Sequence, residues 1–309
     1  MSVKYFVLLS LLFLSASLAS DGDTQNEYRH CLDECVQVTC PTPLDASLRL
    51  LHWNCPENCR YTCMQSITDE AQERGLPIYQ YYGKWPFYRV LGIQEPASVL
   101  FSIGNGLVHL YYFFLLRKKI PTNYHLKTSL LLYPCVGMNA WLWSTIFHGR
   151  DVHWTELMDY FSAFSLVLYS LFFALIRVFQ VQKHSTRLLG LLFLCGYLSH
   201  IIYLSAISFD YVYNMYVNVT VGVLQVVVWV YWYITQTKRS YAYLAVISGV
   251  GVSVAMCLEL FDFPPLWRVF DAHSLWHFAT IPLTIIWYKF LLADMWFENQ
   301  NEKVALLPA

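Results

Sequence analysis

Charged residues are scarce in this chain of 309 residues: Asp, Glu, Lys and Arg make up 13% of it. Soluble proteins average roughly 25% charged residues. Hydrophobic residues make up 57%, and the mean hydropathy is +0.40. A water-soluble globule of this size would lack the polar residues to cover its surface, and so much apolar content also excludes intrinsic disorder. The composition therefore predicts an integral membrane protein.

The sequence also lacks a basic excess, since 20 Lys and Arg stand against 21 Asp and Glu. No long basic block interrupts that balance, so we expect no nucleic-acid partner. There is no G-x-S-x-G nucleophile elbow, no P-loop and no dinucleotide-binding fingerprint. These absences exclude the commonest serine-hydrolase and nucleotide-binding signatures.

The amino terminus has the pattern of a secretory signal peptide at residues 1–20. Lys4 precedes an apolar run over residues 5–14, and the small residues Ser17 and Ala19 have the spacing of a cleavage site. An uncleaved first span is the alternative. The apolar run is shorter than the roughly 20 residues that a spanning helix needs, so it favours the signal peptide.

Six of the nine cysteines lie between residues 31 and 63, in a polar segment that follows this signal. A secreted position predicts disulfides, and the spacing places cysteines one helical turn apart at each end of the segment. Two antiparallel helices would then form nested bridges, and a zinc site made of the thiols is the alternative. The predicted pairs are Cys31–Cys63, Cys35–Cys59 and Cys40–Cys55, within a small lumenal domain over residues 21–96.

Seven apolar stretches follow, each long enough to cross a bilayer. We therefore predict an all-α fold, a seven-transmembrane-helix bundle over residues 97–296, with a short tail at 297–309. The stretches cover 97–116, 128–148, 156–176, 188–206, 213–235, 241–260 and 271–293.

The loops between these stretches differ in basic residues, and short basic loops usually stay in the cytosol. One alternating set carries nine basic residues, while the other carries only Arg150 and Arg268. This asymmetry predicts a lumenal amino-terminal domain and a cytosolic tail. The nine are Arg117, Lys118, Lys119, Lys127, Arg177, Lys183, Arg187, Lys238 and Arg239.

Five polar residues from three of the stretches fall at the same predicted depth, near the lumenal face. Ser144 and His148 lie one turn apart, Asp159 starts the next stretch, and His273 and His277 lie one turn apart in the last. Three imidazoles with one open position form the ligand set of a catalytic Zn²⁺. Asp159 would then transfer the proton of the attacking water, and the Ser144 hydroxyl would donate to a developing oxyanion.

Other interpretations of these residues stay open at this point. An H-x3-H pair alone is a weak signal, because interfacial histidines also bond water and lipid headgroups. Ser144 could instead be a nucleophile that forms an acyl-serine intermediate. Glu259 lies near the same predicted face and has two interpretations, a contact with a polar headgroup or a solvated helix end.

The spacing Ser144-x3-His148, followed by Asp159 and His273-x3-His277, resembles the signature of the CREST superfamily of seven-span metallohydrolases. The fuller similarity is to its Per1-like family, through the signal peptide, the six-cysteine segment and stretches such as 139–141 and 271–273. All five signature positions are present.

The resemblance implies a zinc-dependent hydrolase that removes the sn-2 acyl chain from glycosylphosphatidylinositol (GPI) anchors. It implies GPI-anchored proteins as substrates, membrane lipid as surroundings, and the lumenal leaflet of the Golgi as location, with the endoplasmic reticulum as the alternative. A seven-span lipid-binding receptor, or a scaffold for GPI-anchored proteins without hydrolase activity, is the alternative function.

Overall fold

The computed structural model describes residues 20–40, 42–236, 239–260 and 262–305. Within those ranges the chain is helical, and β-structure is limited to isolated bridges. The predicted all-α class is confirmed. The predicted signal peptide, apart from Ser20, lies outside the described residues, as do the last residues of the predicted tail, 306–309.

Contacts within the chain divide it into two compact units. The first comprises Met1–Ala97 and Leu258–His273, and the second comprises Ser98–Cys257 and Ser274–Ala309. The domain boundaries expected from the sequence stay predictions.

Among its described residues, the first unit contains four complete helices: α1 Asp21–Thr24, α2 Asn26–Thr39, α3 Ala46–Leu50 and α4 Cys55–Glu73. The start of α4 is fixed by a capping box, which satisfies two backbone N–H groups that the helix leaves unpaired. The Glu57 N–H donates to Asn54 Oδ1 at 2.9 Å, and the Asn54 N–H donates to Glu57 Oε2 at 3.0 Å.

Three disulfides link the α2 and α4 regions. Each helix presents cysteines one turn apart, and the two helices pack against each other, so the bridges are nested. The predicted pairing is confirmed in full, with bridges Cys31–Cys63, Cys35–Cys59 and Cys40–Cys55. The alternative of a zinc site made of these thiols is wrong, because all six sulfurs are in disulfides.

Arg268 attaches the second segment of this unit to the first. Its side chain is 1% exposed and donates to the Pro86 carbonyl at 3.1 Å. It also bonds the Asp69 carboxylate and the Gln65 side-chain oxygen. A buried guanidinium needs such partners because an unpaired buried charge is costly.

Among the residues described, six helices are long and apolar enough to cross a membrane. They make the chain a multi-pass membrane protein. They are α5 Pro96–Lys119, α6 Lys127–Gly149, α7 His153–Val178, α8 Lys183–Ile202 with its π-helical continuation Tyr203–Ile207, α9 Tyr211–Thr235, and α11 Ala272–Ala305.

The remaining predicted span, 241–260, forms a shorter apolar helix, α10, over Tyr243–Leu260. Its 18 residues give a length of about 27 Å at 1.5 Å per residue, slightly under the roughly 30 Å of a bilayer core. The predicted count of seven spanning helices is therefore not confirmed.

A buried ion cluster joins α7, α11 and the loop after α9. Arg177 donates to both oxygens of Asp294, at 2.5 and 2.7 Å. Arg239 donates to Asp294 at 3.0 Å and to Glu298 at 2.7 Å. The four charges balance, so each compensates the desolvation of its neighbours.

Candidate metal centre

The first part of the site lies at the end of α6. Ser144 and His148 are four residues apart, so they share one face of the helix in its last turns. Both are buried. An ionisable side chain buried within a spanning helix is a candidate functional group.

The second part lies at the start of α11, where His273 and His277 occupy one face of a single continuous helix. His273 is the last residue of the first unit, and His277 belongs to the second. Within the first unit, the Nδ1 of His273 hydrogen-bonds the Glu259 carboxylate. A carboxylate on one ring nitrogen orients an imidazole so that its other nitrogen can bind a metal. The interpretation of Glu259 as a solvated helix end is thus wrong, since its side chain is 19% exposed and bonded.

His148 and His277 approach each other closely within the second unit, with ring centroids 4.9 Å apart and ring planes at 77°. Imidazole rings at this separation can bind one metal ion together. His273 precedes His277 by one turn on the same helix, as a further candidate ligand.

Ser102 on α5 connects the two parts of the site, and sequence reasoning missed it. Its Oγ lies 3.0 Å from Ser144 Oγ and 3.0 Å from His277 Nδ1. Ser102 is fully buried. The sequence does contain a pattern that could have revealed it. Polar residues with helical spacing lie on one face of an otherwise apolar stretch, at Ser98, Ser102, Asn105 and His109.

Asn105 and Thr280 hold the backbone of α11 at the site. The Asn105 side chain donates to the His277 carbonyl at 2.8 Å, and the Thr280 hydroxyl donates to the same oxygen at 2.8 Å. Thr280 also lies 3.2 Å from Asn105 Oδ1. Pro282 interrupts the hydrogen bonding of α11 just beyond this point, so these side-chain bonds reinforce the turn that carries His277.

Asp159 lies in the second turn of α7, a helix that packs along α6. Its residue is partly buried, and its backbone carbonyl accepts the Ser162 hydroxyl at 3.0 Å. The role of its carboxylate in proton transfer stays a prediction.

Comparison with known proteins identifies a family. The model of the Per1-like family matches residues 45–295. The "GPI-specific phospholipase A2-like PGAP3" of Danio rerio is 35% identical over 96% of this chain and 98% of its own length. The "Post-GPI attachment to proteins factor 3" of Drosophila melanogaster is 38% identical over 93% of both chains.

The "Protein PER1 homolog" of Schizosaccharomyces pombe is 37% identical over 93% of this chain and 91% of its own length. No solved structure matches the chain. The resemblance to the Per1-like family is therefore confirmed over nearly the whole sequence.

Proposed function

The chain belongs to the Per1-like family, and on this basis we propose that it is a zinc-dependent hydrolase. The proposed reaction removes the sn-2 acyl chain of GPI anchors, in the lumenal leaflet of the Golgi membrane. The names of two relatives, both "GPI-specific phospholipase A2-like PGAP3", support the substrate class. GPI-anchored proteins are then the substrates, and membrane lipid surrounds the site.

The observation that carries this proposal is the meeting of histidines from two helices. His148 at the end of α6 and His277 at the start of α11 lie ring to ring, and His273 precedes His277 by one turn on the same helix. These groups fit a zinc ion because three imidazoles, one of them oriented by a carboxylate, form a common catalytic ligand set.

When bound there, zinc supplies Lewis-acid polarisation of an ester carbonyl and lowers the pKa of water towards about 7. The protein holds the ligands at fixed positions and supplies a group that accepts the proton of the attacking water. Asp159 takes the proton from the attacking water. Oxygen of water forms a bond to the acyl carbon, the ester C–O bond breaks, and the departing alkoxide takes up a proton. The products are a fatty acid and a lyso-GPI anchor.

The position of the histidines along their helices supports access by such a substrate. The histidines lie at the last turn of α6 and the first turns of α11, which are helix ends rather than helix middles. An ester near the lipid headgroup lies at this depth of a bilayer, while its acyl chains stay in the hydrocarbon.

Two measurements on one preparation test the proposal: the zinc content of purified protein, and acyl release from a GPI-anchored reporter. We expect about one zinc per chain and release of the sn-2 acyl chain. The His277→Ala variant should lose both, by more than the roughly 10–100-fold cost of removing a residue that only orients a ligand. His153→Ala is the matched control, because His153 is exposed at the start of α7.

Stoichiometric zinc without acyl release would favour the lipid-binding receptor or scaffold and contradict the hydrolase. Acyl release from protein stripped of metal would contradict the zinc dependence.

A further inference from the structure

Three hydrogen-bonding groups meet the Ser102 hydroxyl inside the second unit. They are the Ser98 carbonyl at 2.7 Å, the Ser144 hydroxyl at 3.0 Å and the Nδ1 of His277 at 3.0 Å. A serine hydroxyl has one proton to donate and two lone pairs to accept with. Three partners therefore fill its capacity.

The directions of these bonds follow from the Ser98 carbonyl, which can only accept. Ser102 gives its single proton to that oxygen. The other two partners, Ser144 and His277, must then be donors. Ser144 directs its hydroxyl proton to Ser102, and the His277 ring carries its proton on Nδ1.

A second contact supports the same assignment for His277. Its Nδ1 also lies 3.4 Å from the Ser98 carbonyl oxygen. A ring nitrogen without a proton would direct its lone pair at that oxygen, which is unfavourable, whereas an N–H is attracted to it. A neutral imidazole with its proton on Nδ1 keeps its lone pair on Nε2.

We propose that Ser102 is a positioning residue that sets His277 to bind the metal through Nε2 and keeps the Ser144 hydroxyl occupied as a donor. The inference deepens the proposed function, because it rests on His277 being a metal ligand. Ser102 itself touches neither metal nor substrate in this role.

The consequence for Ser144 separates two mechanisms. A nucleophilic serine must give its proton to a base. The proton of Ser144 goes instead to a neutral hydroxyl, which is a very weak base. Acyl-serine formation is therefore disfavoured, and direct attack by water is favoured. Ser144 can donate to an oxyanion only after its hydrogen bond to Ser102 breaks.

The chain offers a matched pair of variants one turn apart on α5. Ser102→Ala removes the hydroxyl at the centre of the network. Ser98→Ala removes only a buried hydroxyl that has no hydrogen-bond partner among the described residues, and it keeps the backbone carbonyl. Both substitutions remove the same atom from a buried serine, so their difference reports the network rather than packing.

The test measures zinc affinity by competition with a chelator, and the visible absorption of the Co²⁺-substituted protein, in the full-length chain. We expect Ser102→Ala to weaken zinc binding about 10–100-fold and to shift the cobalt bands, and Ser98→Ala to match wild type. The thermal midpoint of each metal-free variant shows whether it folds. If Ser102→Ala does not fold, Ser102→Thr, which keeps the hydroxyl, must fold and bind zinc like wild type.

Equal zinc affinity and equal cobalt spectra for Ser102→Ala and wild type would overturn the inference, as would a wild type that binds no zinc. Labelling of Ser144 in the wild type by a serine-reactive fluorophosphonate would overturn the claim that its hydroxyl is held as a donor to Ser102. Acyl release is measured separately: a wild type that binds zinc through this network but releases no fatty acid contradicts the proposed function and leaves the role of Ser102 intact.

Discussion

Gly137 on α6 lies directly against the imidazole of His109 on α5. A Cβ at this position would stand 2.2 Å from two atoms of that ring, Nδ1 and Cε1. Ordinary carbon contacts are about 3.5–4.0 Å, so the ring or the helices must move by more than about 1 Å. The ring is buried and its Nδ1 is bonded to the Tyr288 hydroxyl at 2.6 Å, which resists that movement.

We therefore predict that Gly137→Ala destabilises the protein. Overpacking costs about 1–3 kcal/mol, and loss of the bond to Tyr288 costs about 0.5–1.5 kcal/mol. Alanine has a better helix propensity than glycine, which offsets about 1 kcal/mol of this loss. The free energy of unfolding should fall by about 0.5–3.5 kcal/mol, by the sum of these three effects.

The assay is thermal unfolding of the purified protein in detergent, with Gly196→Ala as control. Gly196 lies inside α8, and a Cβ there would meet no atom within 4 Å. We expect the midpoint to fall by several degrees for Gly137→Ala and to stay or rise slightly for Gly196→Ala. Equal midpoints for the two variants would refute the close approach of α5 and α6.

The same substitution should also reduce acyl release. Ser102 on α5 and Ser144 on α6 each lie seven residues, about two turns, from the His109–Gly137 contact. Spreading the helices there would lengthen the 3.0 Å contact between the two hydroxyls. Wild-type activity in a Gly137→Ala variant that has lost stability would show that the two ends of this interface are independent.

Three further predictions concern the first unit, the ion cluster and the metal. Replacing Cys35 and Cys59 by serine opens a loop of 24 residues and should cost about 3–4 kcal/mol, seen as a lower unfolding midpoint; an unchanged midpoint would contradict it. Asp294→Asn leaves the buried Arg177 with a weaker partner and should lower the free energy of unfolding by about 3–5 kcal/mol. Arg177→Lys keeps the charge but loses the two parallel hydrogen bonds to Asp294, so it should lower the free energy of unfolding by less. Equal losses of stability in the two variants would refute this two-bond contact. Removing metal with a chelator should lower the midpoint, by about 2.7 kcal/mol of stability if zinc stood at 100 times its dissociation constant; no change would contradict a bound metal.

Local spacing was sufficient to predict the parts of the molecule that depend on one or two helices. Cysteines one turn apart in two antiparallel helices allow few pairings without crossing, so the disulfides followed from positions such as Cys31 and Cys63. His148, His273 and His277 were predicted as metal ligands from their depth in two apolar stretches. Both inferences use only the helix period and the length of a span.

Features that require the packing of distant helices were not predictable in this way. Ser102 is joined to His277 across 175 residues of sequence, and Arg177 to Asp294 across 117. Serine and arginine in apolar stretches have many possible partners, and only the packing of α5, α6, α7 and α11 selects one. Glu259 was misinterpreted for the same reason, since the fold, not the sequence spacing, brings it to His273.

X-ray absorption at the zinc edge tests the three-histidine centre most directly, because it counts and identifies the atoms bound to the metal. We predict three imidazole nitrogens at about 2.0–2.1 Å from zinc in the wild type. Two should remain in His148→Ala, and three should remain in the control His153→Ala. Sulfur ligands, or a wild-type spectrum unchanged by His148→Ala, would contradict the proposed centre.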